Sequence, residues 1–284
     1  MRVLIFGKVG QLASALGELL GEREKLTFLD QPDIDLADTA SIEDHVVSAA
    51  PELVINAAAY TAVDRAESEP ELAHLINAAA PGEIARICAN ASVPLIHVST
   101  DYVFDGEAKE PYAEDSPVSP KSAYGKSKLA GERAVQDVLD QHVILRTAWL
   151  YSHVGHNFLK TMLRVASEGK PLRVVCDQYG APTFAWDLGA AIGNVVDAVR
   201  AGRRDIYGLY HATNSGFTDW HGFATQIFAL RGDDVDLTAI STKEYPTPAP
   251  RPAYSVLSCE RFSSVFKHHF PDWKDGLTRC LARL

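Results

Sequence analysis

The chain is poor in cysteine, has no long apolar run and carries no excess of positive charge. Its four cysteines, Cys88, Cys176, Cys259 and Cys280, stand far apart in 284 residues, with no Cys-x-x-Cys pair and no Cys/His ligand spacing. That excludes a disulfide framework and a zinc ribbon as first readings and leaves reduced thiols, the default of a cytosolic protein. The opening apolar run VLIF is stopped at once by Gly7-Lys8, too short for a signal-peptide core, and no later run reaches a spanning length. The expected location is the cytoplasm, with no membrane partner. A formal net charge of -10, spread without long like-charge runs, would repel nucleic acid and anionic membranes alike. Any anionic substrate must therefore meet local donors.

What is present is ordinary for a soluble enzyme: 46% hydrophobic and 23% charged residues, in a length that suits one large domain or two closely joined ones. Short apolar runs alternate with helical patterns: RVLIF, QLASALGELL, KLTFLD, a capped TASIEDHVVSAA, then ELVINA. The alternation continues with a helix near 71–90, the strand PLIHVS, a helix over 124–139 and the strand HVILRTA. This rhythm predicts βαβ units and a parallel sheet. After Trp149 it loosens: a helix near 156–167, the strand LRVVCD, a turn at QYGAPT, a helix near 186–200 and the strand IYGLYHAT. The segment YPTPAPRP is too rich in proline for helix or central strand and reads as an ordered loop reaching over something.

Gly7, Gly10 and Ala13 form a Gly-x-x-Gly-x-x-Ala turn between the first strand and first helix. Such a turn aims backbone N–H groups and the helix dipole at a pyrophosphate. Asp30, ending the next strand at about the expected twenty residues' distance, is suited to an adenosine ribose. The fold expected is α/β: a Rossmann-type doubly wound parallel sheet over residues 1–149, taking in about 183–212, with a smaller, discontinuous substrate domain mainly over 150–284. The segment QPDIDLAD after Asp30 carries acids and no Arg or Lys, which favours NADH over NADPH as the reductant. Tyr124 and Lys128 share one helix face, where an ammonium would stabilise a phenolate and bring a proton donor toward working pH. Thr100, at the end of the preceding strand, would hydrogen-bond a substrate carbonyl. The chemistry expected is carbonyl reduction by a nicotinamide cofactor.

With these residues in hand, the chain resembles the extended short-chain dehydrogenases/reductases, and within them the dTDP-4-dehydrorhamnose reductase family. The likeness runs nearly end to end, through FGKVGQLA, VINAAAYTAVDRAESEP, STDYVFDG, YGKSKLAGE, RTAWLY, DQYGAPT, YPTPAPRP and PDWKDGLTRCL. It implies NADH- or NADPH-dependent reduction of the 4-keto group of dTDP-4-dehydro-β-L-rhamnose, a small-molecule nucleotide sugar. By position it implies Gly10, Gln11 and Leu12 at the cofactor phosphates and Asp30, Asp35 and Leu36 toward the adenosine. Ala59, Tyr60, Thr61 and Val98 would lie along the path to the nicotinamide. Thr100, Asp101, Tyr124 and Trp149 would surround the deoxysugar, with Tyr124 and Lys128 also on the nicotinamide ribose. Arg251, in the proline-rich loop, is either a partner of the nucleotide diphosphate or half of a surface salt bridge.

Some positions depart from the family pattern. Where certain members hold magnesium at a dimer contact with glutamates, this chain has Ala15 and Trp186, neither of which ligates a hard cation. A monomer or weak homodimer without a magnesium bridge is expected. Tyr254 stands where the pattern often has Asn. A nucleotide-sugar 4,6-dehydratase would call for an Asp-Glu pair after the strand-end threonine; the pair here is Asp101-Tyr102. A ketoreductase of different stereochemistry, and a non-catalytic regulatory subunit like that of methionine adenosyltransferase, share the cradle; the latter need not retain Thr100, Tyr124 and Lys128 together. His153, His156, His268 and His269 have no partner set for a metal and read as surface or packing residues.

Overall fold

The computed structural model describes residues 1–284. The chain begins with β1 (Arg2–Phe6), which is buried after its first residue. It continues into α1 (Gln11–Leu20), whose Leu12, Ala13, Ala15, Leu16 and Leu20 form one buried stripe. β2 (Lys25–Leu29) follows, then α2 (Ile42–Ala49) and β3 (Leu53–Asn56). The cap expected on α2 is not made. A 3-10 turn over Thr39–Ser41 leads into the helix and no side chain accepts a bond at either start, because Ser41 Oγ is turned to Asp38 O at 2.9 Å.

The helix expected near 71–90 is built from α3 (Pro70–His74) and α4 (Ala80–Ala91), joined by a π-helical turn at Leu75–Ala79. The wide turn meets a close neighbour. Gly131 lies so near that a Cβ there would fall 2.0 Å from the carbonyl oxygen of Asn77. β4 (Leu95–Thr100), α5 (Ala123–Gln136) and β5 (His142–Thr147) complete the first rhythm.

The second half adds β6 (Leu150–Tyr151), α6 (Phe158–Ser167), β7 (Leu172–Val175), β8 (Tyr179–Gly180), β9 (Thr183–Phe184), α7 (Ala185–Arg200), β10 (Gly208–His211), β11 (Thr218–Asp219), α8 (Trp220–Arg231), β12 (Leu237–Ile240), α9 (Glu260–Phe266) and α10 (Trp273–Leu281). QYGAPT is thus more than a turn: β8 pairs antiparallel with β11 and β9 runs parallel to β6. Pairs of two residues are too short to leave a period in the sequence.

Six parallel strands form the main sheet in the order β2-β1-β3-β4-β5-β10. Parallel strands need both faces covered, and alternate side chains of β1 serve the two sides. Val3 and Ile5 pack with α1, α7 and α9, whereas Leu4 and Phe6 pack with α2, α4 and the end of α5. A separate aromatic core of Tyr151, Phe184, Trp186, Phe223 and Trp273 holds the second half together. No helix is long and apolar enough to cross a membrane.

Candidate active site

Strand order reverses between β1 and β3, and a doubly wound sheet opens a crevice at such a switch point. Here it is a cavity of about 500 Å³ lined from both strand ends. Gly7 leaves β1 at φ +100°, and a Cβ on it would lie 3.4 Å from backbone atoms of Ala57 and Ala58 beyond β3. A side chain there would be strained and would crowd the crevice. Gly10 begins α1 with no side-chain cap, so the first N–H groups of the helix remain free beside the cavity wall of Gly10, Gln11, Leu12 and Ala13. Free donors at the positive end of a helix suit a phosphate.

Asp30 is on the same wall, its carboxylate accepting from the N–H of Lys8 at 2.8 Å and of Gln31 at 2.9 Å. These residues fit a dinucleotide. The preference for NADH drawn from an all-acidic segment loses its ground, because the glycine turn brings Lys8 alongside, its ammonium 3.5 Å from Asp33. The Gln11 side chain turns to the second half, where its Oε1 accepts from Ser152 and Asn157 at 2.8 Å each.

Ala59, Thr61, Val98, Thr100, Asp101, Tyr124, Lys128 and Trp149 line this cavity too. Tyr124 and Lys128 come from the start of α5, which Ser122 caps by accepting from the Gly125 N–H at 3.0 Å. Both are buried. The Lys128 ammonium donates to Val98 O at 2.7 Å. Burial draws its pKa down to about 8, against a smaller upward pull from Glu132. Burial likewise pushes the Tyr124 phenol up to about 12, the Thr100 hydroxyl drawing it down and Asp101 up. The expected lowering of the phenol by Lys128 is therefore not what governs it: desolvation dominates and the ammonium's hydrogen bond goes to the backbone. The phenol is held protonated at neutral pH, the form a proton donor requires. Asp101 is buried as well, its carboxyl raised to about 6 by desolvation, with Oδ1 accepting from Thr100 at 3.0 Å and Oδ2 unpartnered.

Behind Lys128 lies a network that spacing did not announce. Glu132, one turn further along α5, accepts two bonds from Arg146 at 2.8 and 2.7 Å and one from Ser99 at 2.5 Å, all three residues being buried. Ser99 and Arg146 arrive from β4 and β5. Trp149 sits at φ +48°, a conformation that costs a bulky residue about 1–3 kcal/mol.

Not every expected residue joins this wall. The Asp35 carboxylate accepts from the N–H of Ala37 in its own turn, and Leu36 packs onto the core under β1. Tyr60 is held by Asn77 through its backbone and gives its phenol hydrogen to Glu69 at 2.5 Å. Arg251 borders a second cavity of about 550 Å³ with Tyr102, Phe158, Arg173 and Trp220, and pairs with Asp64 at 2.9 Å, so in this state the ion pair is made. His156 is an exposed surface residue, and the loop before α6 sets it on the rim of both cavities. Ala15 and Trp186 are buried in the second core, and Tyr254 packs between Tyr112 and Phe217. No group of three or more His, Cys, Asp or Glu could hold a metal ion.

The family model described as the RmlD substrate binding domain matches residues 1–284. A dTDP-4-dehydrorhamnose reductase from Sinorhizobium fredii is 40% identical over 289 residues, covering 100% of this chain and 98% of its own. A probable dTDP-4,6-dihydroxy-2-methyloxan-3-one 4-ketoreductase from Streptomyces antibioticus is 39% identical, with 98% of this chain and 93% of its own covered. The crystal structure of dTDP-4-dehydrorhamnose reductase from Bacillus anthracis in complex with NADP superposes with a TM-score of 0.94 at 35% identity, over 100% of this chain and 99% of that one.

Proposed function

Since the chain belongs to the dTDP-4-dehydrorhamnose reductase family of NAD(P)H-dependent oxidoreductases, we propose that it reduces the 4-keto group of dTDP-4-dehydro-β-L-rhamnose to give dTDP-β-L-rhamnose. One observation carries the reading: the Thr100 hydroxyl, the Tyr124 phenol and the Lys128 ammonium share a cavity with the uncapped start of α1. NAD(P)H, when bound, supplies the hydride. Gly7, Gly10 and the first N–H groups of α1 hold its phosphates, with Asp30 toward the ribose.

Thr100 orients the substrate carbonyl, and Tyr124 gives its proton to the carbonyl oxygen as that oxygen gains charge. Lys128, buried beside it, stabilises the phenolate left behind. Trp149 and Asp101 border the sugar. The nucleotide extends into the second cavity, where Arg173 and Arg251 are suited to a diphosphate and Phe158 to a base. Arg251 would then exchange Asp64 for phosphate oxygen.

A second reading, a 4-keto-6-deoxysugar reductase of other stereochemistry, draws on the Streptomyces antibioticus relative. Purified chain mixed with dTDP-4-dehydrorhamnose and NADPH or NADH, with cofactor oxidation followed and the product sugar identified, separates the cases. Formation of dTDP-L-rhamnose supports the proposal, a different sugar supports the second reading, and no oxidation points to a binding role. Tyr124→Phe should lower turnover by about 10²–10⁴-fold while cofactor binding persists.

A further inference from the structure

Apart from glycines, Trp149 is the one residue on the first cavity's wall with positive φ. A bulky side chain stays in such a conformation only where its surroundings over-determine it. Two neighbours do so. The indole stacks on Trp220 with ring centroids 3.5 Å apart and planes within 5°. From the other face comes Gly180: a Cβ there would fall 2.4 Å from Cε2, 2.6 Å from Nε1 and 2.8 Å from Cζ2 of Trp149. Those nearly equal distances mean an approach over the ring. Trp220 is not among these neighbours, which sets it on the opposite side.

Both jaws belong to one ribbon. Gly180 in β8 pairs with Thr218 in β11, and β11 ends at Asp219, directly before Trp220. Trp220 also packs on Phe158 at 4.7 Å and lines the second cavity. We infer that Gly180 and Trp220 are positioning residues that clamp the Trp149 indole, so that the wall of the cavity holding Thr100 and Tyr124 is set by the same ring that borders the second cavity. The consequence for substrate rests on the proposed function, in which the nucleotide sugar spans both cavities.

The test uses the full chain and two variants, Gly180→Ala, which forces a methyl into the clamp with both indoles retained, and Trp220→Leu, which removes one jaw. Closely stacked indoles give a coupled circular-dichroism band, and both variants should lose it. Both should raise KM for dTDP-4-dehydrorhamnose about tenfold, the scale of one lost aromatic pair, with NADPH binding unchanged. Trp220→Phe should return KM to within about twofold of the parent, since it keeps a stacking face. If Trp220→Leu does not fold, Gly180→Ala, which keeps both indoles, carries the reading by itself. Retention of the band in Gly180→Ala, or its loss with KM and kcat both unchanged, overturns the inference. Absence of turnover in the parent chain would instead remove the proposed function, and the band would still decide the clamp.

Discussion

Replacing Lys128 by Met should make the protein more stable and nearly inactive. Lys128 is 2% exposed, and burial lowers the pKa of its ammonium from 10.5 to about 8. That drop is worth about 3 kcal/mol, at about 1.4 kcal/mol for each tenfold change in proton affinity. Below pH 8 the group is charged in both folded and unfolded chains, and the folded state bears the whole cost. As pH rises from about 8 to about 10.5 the folded state releases its proton first, so stability climbs with pH across that window and the cost is gone above it.

Met fills the same slot with an unbranched stem and no charge. It forfeits the charge-assisted bond to Val98 O, worth about 2 kcal/mol. The net gain at neutral pH is about 1 kcal/mol, which in a chain of this size raises the melting midpoint by about 2 °C. Glu132 keeps Arg146 as its partner, so no new unpaired charge appears. Melts of parent and variant without cofactor, at pH 7 and near pH 10, measure the gap, and NADPH oxidation measures the loss, expected at about 10²–10⁴-fold. The gap should close at the higher pH. A variant that melts below the parent at pH 7, or a gap that ignores pH, would refute the reasoning from burial.

Glu132→Ala should cost about 3–5 kcal/mol, because Arg146 is left charged and buried and Ser99 loses its acceptor; an unchanged urea midpoint would contradict it. Asp101→Asn should stabilise the chain at neutral pH, since burial raises that carboxyl from 3.8 to about 6 and the folded state becomes costlier as pH rises through that window. Below it the parent and variant should converge, and a gap of constant size from acid to neutral pH counts against the assignment. Asp30→Ala should weaken NADH more than NADPH, as its carboxylate stands on the first cavity's wall, where the proposed function puts an adenosine ribose whose 2'-phosphate in NADPH it would repel; equal changes in the two KM values remove Asp30 from the ribose.

Much of the first half was readable because local period and fold agree. QLASALGELL is the helix Gln11–Leu20, and RVLIF contributes the strand Arg2–Phe6. The π turn at Leu75–Ala79 was hidden, since it accompanies the approach of Gly131 from α5, a contact over 50 residues away in sequence. The β8–β11 ribbon was hidden because two-residue pairs leave no alternation. In the candidate site, glycine spacing and a four-residue helical interval are local facts, and they marked Gly7, Gly10, Tyr124 and Lys128 before any fold was known.

By itself, then, the sequence determined which chemical groups lie close along one strand end or one helix face, because those relations follow from backbone geometry alone. Only the tertiary structure decided which groups meet and in what state. Burial, which no spacing encodes, raises Tyr124 and lowers Lys128. The joining of separate strands brings Ser99 and Arg146 to Glu132, Lys8 to the acidic turn, and Trp220 and Gly180 to the two faces of Trp149. Desolvation and long-range contact are properties of the packed chain, and they set the chemistry that the motifs only name.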